Sequence, residues 1–144
     1  MMNMSNLGRA IEIAVTAHAG QVDKGGRPYI LHPLWVMDKV RHLGDDYMIV
    51  AILHDVVEDS SWTIEELIRF GFNQYTMYAL SLLTHVKGVS YDDYIKAIST
   101  DPIAKAVKLR DLEHNTKVTR LKGLRKKDFD RLEKYHRAYT YLLD

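Results

Sequence analysis

The run YMIVAIL, from Tyr47 to Leu53, contains no charged residue and no polar face, and His54-Asp55 follows it at once. A segment that is apolar all round predicts a helix buried on every side. Such a helix needs neighbours to surround it, and the chain must also deal with a histidine and a carboxylate at its end. A carboxylate that close to a core is unfavourable unless it is paired or bound to a cation. With 144 residues and 47% hydrophobic content, the chain has material for one core, and a single domain over residues 1–144 is expected.

The neighbours are legible as helices joined by short turns. Ser5 is placed to cap a helix running to about Ala19, with Leu7, Ala10, Ile11, Ala14 and His18 on one face. The loop GQVDKGGRP follows, and Pro33 is placed to open a second helix with Leu34, Met37 and Val40 inward, ending at Gly44. Asp45 or Asp46 is a cap for the apolar helix. Thr63 and Glu66 have capping-box spacing before a short helix that stops at Gly71. Further helices are expected from about Asn73 to His85, from Ser90, and from Asp101-Pro102 through DLEHN. The last runs from about Asp128 to Leu143, with Phe129, Leu132, His136, Tyr139 and Leu143 as its apolar face. No segment alternates with period two over a strand's length. The expected fold is an all-α bundle of seven or eight helices.

His54 and Asp55 are followed one turn later by Glu58 and Asp59. On a continuous helix these form two neighbouring pairs along one face, a cluster that calls for a metal or a basic partner. The competing reading is an acidic last turn emerging into solvent, although carboxylates at a helix C-terminus oppose its dipole. His32, just before Pro33, and Asp111, followed on its own face by His114 and Asn115, are candidates to complete a metal shell. Singly, a histidine beside proline is more often a turn residue and a mid-helix aspartate more often a surface one. His18 is expected to pack or to orient a neighbour, while His42 and His136 read as structural or exposed.

The chain has no cysteine, which excludes disulfides and thiolate metal sites, so a metal must sit on His, Asp or Glu. Imidazole with carboxylate suits Mn²⁺, Fe²⁺ or Zn²⁺ better than Ca²⁺. Met1 to Ala10 offers neither a signal peptide nor a membrane span, and a cytoplasmic protein without membrane contact is expected. The net charge of +1 hides an asymmetry: residues 1–102 carry 8 basic and 13 acidic side chains, residues 103–144 carry 12 and 6. A basic C-terminal third suits an anionic ligand such as a nucleotide. It fits nucleic acid less well, because no nucleic-acid motif accompanies it. A solvated helix face explains charge alone equally well.

Taken together, the segments resemble the HD hydrolase domains of the RelA/SpoT type, which degrade (p)ppGpp. The matching motifs are AHAGQ at Ala17 to Gln21, GGRPYILHP at Gly25 to Pro33, ILHDVVEDS at Ile52 to Ser60, FGF at Phe70 to Phe72, and VKLRDLEHN at Val107 to Asn115, in the family's order. Within that group the chain looks like the stand-alone small alarmone hydrolases. The resemblance implies an HD-domain helical bundle and one divalent metal, typically Mn²⁺, held by His32, His54, Asp55 and Asp111. It implies a catalytic acidic pair at Glu58 and Asp59, with Lys24 and Asn115 binding the nucleotide. Lys108 lies in a matching motif without a defined role. It also implies pyrophosphate release from the 3′ position of guanosine-3′,5′-bis(diphosphate).

Two departures from the pattern matter. Asp23 stands where the family has an Arg that stacks on guanine, and Arg110 and Glu113 alter the surroundings of Asp111. Asp23 motivates a second reading, hydrolysis of another nucleotide or a phosphorylated nicotinamide cofactor. Arg110 and Glu113 motivate a third, a nucleotide- or partner-binding module without turnover.

Overall fold

A computed structural model describes residues 5–144, with Arg120 described by its backbone alone. The expectation about the start of the chain falls partly on residues 1–4, outside the described residues. Among the described residues nine α-helices occur: α1 (Asn6–Ala17), α2 (Leu31–Lys39), α3 (Asp45–Leu53), α4 (Val56–Asp59), α5 (Ile64–Arg69), α6 (Gln74–Leu83), α7 (Tyr91–Ser99), α8 (Pro102–Asn115) and α9 (Lys126–Leu143). One of them, α4, is a four-residue turn, so eight exceed a single turn. The only β-type pairing among these residues is an isolated bridge between Val22 and Pro28. The all-α reading holds. No described helix is long and apolar enough to cross a membrane.

The helix starts follow from their caps. Ser5 Oγ accepts from the Gly8 amide, Asn73 Oδ1 from Thr76, Ser90 Oγ from Asp93 and Asp101 Oδ2 from Ala104, each satisfying a helix-end N–H. Thr63 and Glu66 form the full reciprocal box. Asp45 and Asp46 differ from expectation. Gly44, at φ +110°, occupies the cap position, and the two acids lie in the first turn, where the positive end of the helix dipole favours them. Asp46 also takes a hydrogen bond from Asn73 Nδ2 at 3.1 Å, tying the start of α3 to that of α6.

α3 lies against α1, α2, α6 and α8. Ile49, Val50, Ala51, Ile52 and Leu53 are all buried, as the apolar run requires. Two apolar clusters meet on this helix. Val50 and Ala51 belong to one with residues of α2, α6, α7, α8 and α9, whereas Ile49, Ile52 and Leu53 belong to another with α1, α5 and α6. Shortening a fully enclosed side chain here, such as Leu53→Ala, costs about 2–5 kcal/mol.

α9 corrects the sequence reading. Phe129, His136 and Leu143 are exposed, and the buried positions are Asp128, Ala138 and Leu142, with Tyr135 and Tyr139 partly covered. The stripe is rotated because Asp128 turns inward: its Oδ2 accepts from the Arg125 amide at 2.9 Å and caps the helix. α2 likewise begins two residues before Pro33, which leaves His32 and Pro33 buried in its first turn, and it gives way to a 3-10 turn before Gly44.

Candidate metal centre and adjoining cavity

α3 stops at Leu53. His54 and Asp55 form a turn before α4, so His54, Asp55, Glu58 and Asp59 do not share the continuous face expected of them. The break turns His54 and Asp55 toward α2 and α8. There His32, His54, Asp55 and Asp111 converge, with one ligand atom from each lying within 4.8 Å of the others. His32 Nε2 is 2.8 Å from Asp111 Oδ1, and His54 Nε2 is 3.0 Å from Asp55 Oδ2 and 3.3 Å from Asp111 Oδ1. Donor atoms around one first-row ion, with bonds of about 2.1 Å, lie roughly 3 Å apart. The spacing and the donor set of two imidazoles and two carboxylates fit a divalent metal.

Each donor is oriented by a second group. His54 Nδ1 is 2.6 Å from the Ala51 carbonyl, which can only accept, so Nδ1 carries the proton and Nε2 keeps its lone pair for an ion. His32 Nδ1 meets His114 Nδ1 at 2.7 Å, and the His114 ring is stacked between His32 and Trp35. Tyr29 donates its hydroxyl to Asp55 Oδ2. Lys108 Nζ donates to Asp111 Oδ2 at 2.8 Å, and Asn115 Nδ2 donates to Asp111 Oδ1 at 3.0 Å.

The titration directions reflect this crowding. Burial works against charge on Asp111, but Lys108 and the hydrogen bonds from His32 and His54 hold its carboxyl well below the usual range. Burial alone would lower His54; Asp55 and Asp111 override it and raise it well above the ordinary imidazole value. Burial, then Asp55, pushes the Tyr29 phenol far up, so it stays a donor.

Glu58 and Asp59 sit at the rim. Glu58 Oε1 accepts the His85 amide at 2.5 Å, and the backbone carbonyl of Asp59 accepts from Gln21 Nε2 at 2.9 Å. Partial burial, aided by Asp55, raises both carboxyls. His18 is buried, with Nδ1 at 2.8 Å from Gln21 Oε1 and its ring against Tyr29, the orienting position expected of it. His42 and His136 are exposed.

Beside the cluster lies a cavity of about 220 Å³, lined by Lys24, Asn115, Tyr29, Lys117, Arg131 and the loop around Asp23. Lys24 and Asn115, paired by resemblance, both line it. Tyr29 and Asn115 touch both the cavity and a candidate ligand. Sequence reasoning gave no role to Tyr29, Lys117 or Arg131, and it placed His114 on the Asp111 face without a function. The His32–His114 contact joins positions 82 apart, and no local signal announces it.

No family model matches the chain. A probable GTP pyrophosphokinase of Mycobacterium leprae is 34% identical over 128 residues, 82% of this chain and 16% of that protein. A guanosine-3′,5′-bis(diphosphate) 3′-pyrophosphohydrolase of Aquifex aeolicus is 36% identical over 119 residues, 76% of this chain and 17% of that protein. The bifunctional (p)ppGpp synthase/hydrolase RelA of Mycobacterium tuberculosis is 33% identical over 130 residues, again 82% of this chain and 17% of that one. The chain spans about a sixth of the length of these curated relatives. Among solved structures, that of a metazoan SpoT orthologue, described as hydrolysing ppGpp, superposes with a TM-score of 0.79 at 20% identity, covering 99% of this chain and 88% of that one.

Proposed function

The chain is an HD domain of the RelA/SpoT type, and from that premise we propose that it is a metal-dependent phosphohydrolase acting on guanosine-3′,5′-bis(diphosphate). The reaction adds water across the 3′ phosphoester, giving pyrophosphate and guanosine 5′-diphosphate. The observation that carries the reading is the convergence of His32, His54, Asp55 and Asp111 beside a cation-lined cavity. The names of the similar proteins supply the substrate. The two apolar clusters both draw on α3 and α6, which supports reading residues 1–144 as one domain.

His32, His54, Asp55 and Asp111 hold one divalent ion; their mixed nitrogen and oxygen donors favour Mn²⁺, with Fe²⁺ or Zn²⁺ also accommodated. When bound, such an ion polarises a phosphate oxygen and lowers the pKa of water. Glu58 and Asp59 take the proton of the attacking water, a task suited to carboxyls whose pKa burial has raised. Lys24 and Asn115 hold phosphate oxygens from the cavity side. Lys108 keeps Asp111 ionised and in place.

Arg110 and Glu113 give little support to a non-catalytic module. They pair with each other at 2.8 Å and neutralise one another instead of acting on Asp111. Asp23 keeps the other-nucleotide reading as the alternative. The deciding measurement is pyrophosphate release from ppGpp by purified protein with Mn²⁺, beside Asp55→Ala. Release that is lost in the variant supports the reading. No release from Mn²⁺-loaded protein overturns ppGpp as substrate and turns the search to other phosphorylated nucleotides.

A further inference from the structure

The Asp59 carboxylate accepts no hydrogen bond among the described residues, whereas that of Glu58 is held by the His85 amide. Its direction is therefore set by its main chain, which closes a helix of four residues. One turn supplies little of its own. The Asp59 amide reaches back to the Asp55 carbonyl at 3.0 Å, and the last carbonyls need partners from outside the ladder. Ser60 Oγ donates to the Val56 carbonyl at 2.6 Å, and Gln21 Nε2 donates to the Asp59 carbonyl at 2.9 Å, across 38 positions of sequence. Gln21 is itself held at both ends. Its main-chain N–H donates to the His18 carbonyl at 3.0 Å, and its carbonyl accepts the Tyr29 amide at 2.9 Å. Its Nε2 also lies 3.3 Å from the Ala17 carbonyl. Both partners of Nε2 are carbonyls, which only accept, so the orientation of the side-chain amide is determined and Oε1 faces His18 Nδ1 at 2.8 Å. His18 Nδ1 therefore carries a proton and donates it. The ring is 2% exposed, and its Nε2 has no hydrogen-bond partner. The bond to Gln21 is thus what satisfies a buried polar ring.

We infer that Gln21 is a positioning residue for Asp59, and that His18 sets the Gln21 amide for that task. The pair braces the acidic turn α4 from the end of α1. The inference rests on the proposed hydrolase reading, in which Asp59 handles the proton of the attacking water. A carboxylate that accepts a proton works only within hydrogen-bond reach, so a small displacement of α4 is felt in turnover. Neither His18 nor Gln21 lines the cavity or belongs to the four candidate ligands, so substrate binding and metal retention are left alone. His18 also packs its ring on Tyr29, with centroids 5.0 Å apart, and the experiment separates that packing from the donated proton.

Three variants are read for kcat, KM and metal content with ppGpp and Mn²⁺. Gln21→Met keeps the length of the side chain and loses its donor. Its kcat is expected to fall about 10–100-fold, with KM and metal content as in wild type. His18→Phe keeps a ring against Tyr29 but loses the Nδ1 donor, and it should lower kcat in the same way. His18→Asn loses the ring but puts an amide donor where Nδ1 stands, and it should recover most of kcat. Thermal melts check folding, and Gln21→Met, at a half-buried position, keeps the test readable should the buried His18 variants not fold. An unchanged kcat in Gln21→Met overturns the inference. So does His18→Asn no better than His18→Phe, or a fall that comes with lost metal or raised KM. Should wild type hydrolyse no ppGpp, the hydrolase reading fails by itself, and amide hydrogen exchange of α4 then decides. Faster exchange in Gln21→Met and His18→Phe, with His18→Asn close to wild type, supports the brace, and equal rates in all of them overturn it.

Discussion

On the metal side of the site each donor atom is held by a partner that a single substitution would leave exposed or unmatched. His54 leans on the Ala51 carbonyl, His32 on His114, Asp55 on Tyr29 and Asp111 on Lys108. Across the cavity, Lys24 and Arg131 reach in from a loop and a helix face, and Lys117 rests on Trp35. The first region is a closed network, in which partners fix both position and protonation state. The second is a set of separate cations. A network fails as a unit, whereas separate contacts fail by degrees.

The sharpest test of that contrast is Asp111→Ala. It removes a donor and leaves Lys108 buried without its partner, so it should abolish metal retention and destabilise the fold by about 3–5 kcal/mol. Metal analysis and urea unfolding read the two effects, and a normal metal content would show that the cluster is not a unit. Next comes Glu58→Gln, at the rim. Turnover should fall about 10²–10⁴-fold with metal content intact. In wild type the raised Glu58 pKa means that activity is present above that value and lost as pH falls through it; the variant should lack this acid limb. Because the folded state disfavours the charged carboxyl, Glu58→Gln should also raise Tm at neutral pH, with the gain vanishing below 4.5.

A smaller effect is expected from His114→Phe, which keeps a ring against Trp35 but removes the nitrogen facing His32. Metal affinity should weaken about 10–100-fold in chelator competition, and an unchanged affinity would mean that stacking alone orients His32. The smallest is expected from Lys117→Ala. KM should rise only a few-fold, about what one partly exposed charge contributes, and by less at high salt. A collapse of activity comparable to that of Asp111→Ala would erase the distinction between the two regions.

Much of this was legible in the sequence where its cause is local. The caps at Ser5, Thr63, Ser90 and Asp101 act over three residues, and the apolar run of α3 declares its burial at every position. The four candidate ligands were reached through the His54-Asp55 pair and the order of the motifs. What failed depends on distant packing. The inward turn of Asp128 rotated the buried stripe of α9, and Ala138 gives too weak an apolar signal to reveal it. The break at His54 could not be read from residues that suit a helix. Nor could the loop-closing role of Asp23, which depends on the positions of two amides inside the turn.

The four candidate donors lie in the order His32, His54, Asp55 and Asp111, on segments separated by up to 79 residues. During synthesis the chain therefore emerges with three donors long before the fourth. A chain made only as far as α7 has the helix break at His54 but lacks Asp111, and with it Lys108 and His114. The group that could hold an ion is consequently completed late, once α8 has been made.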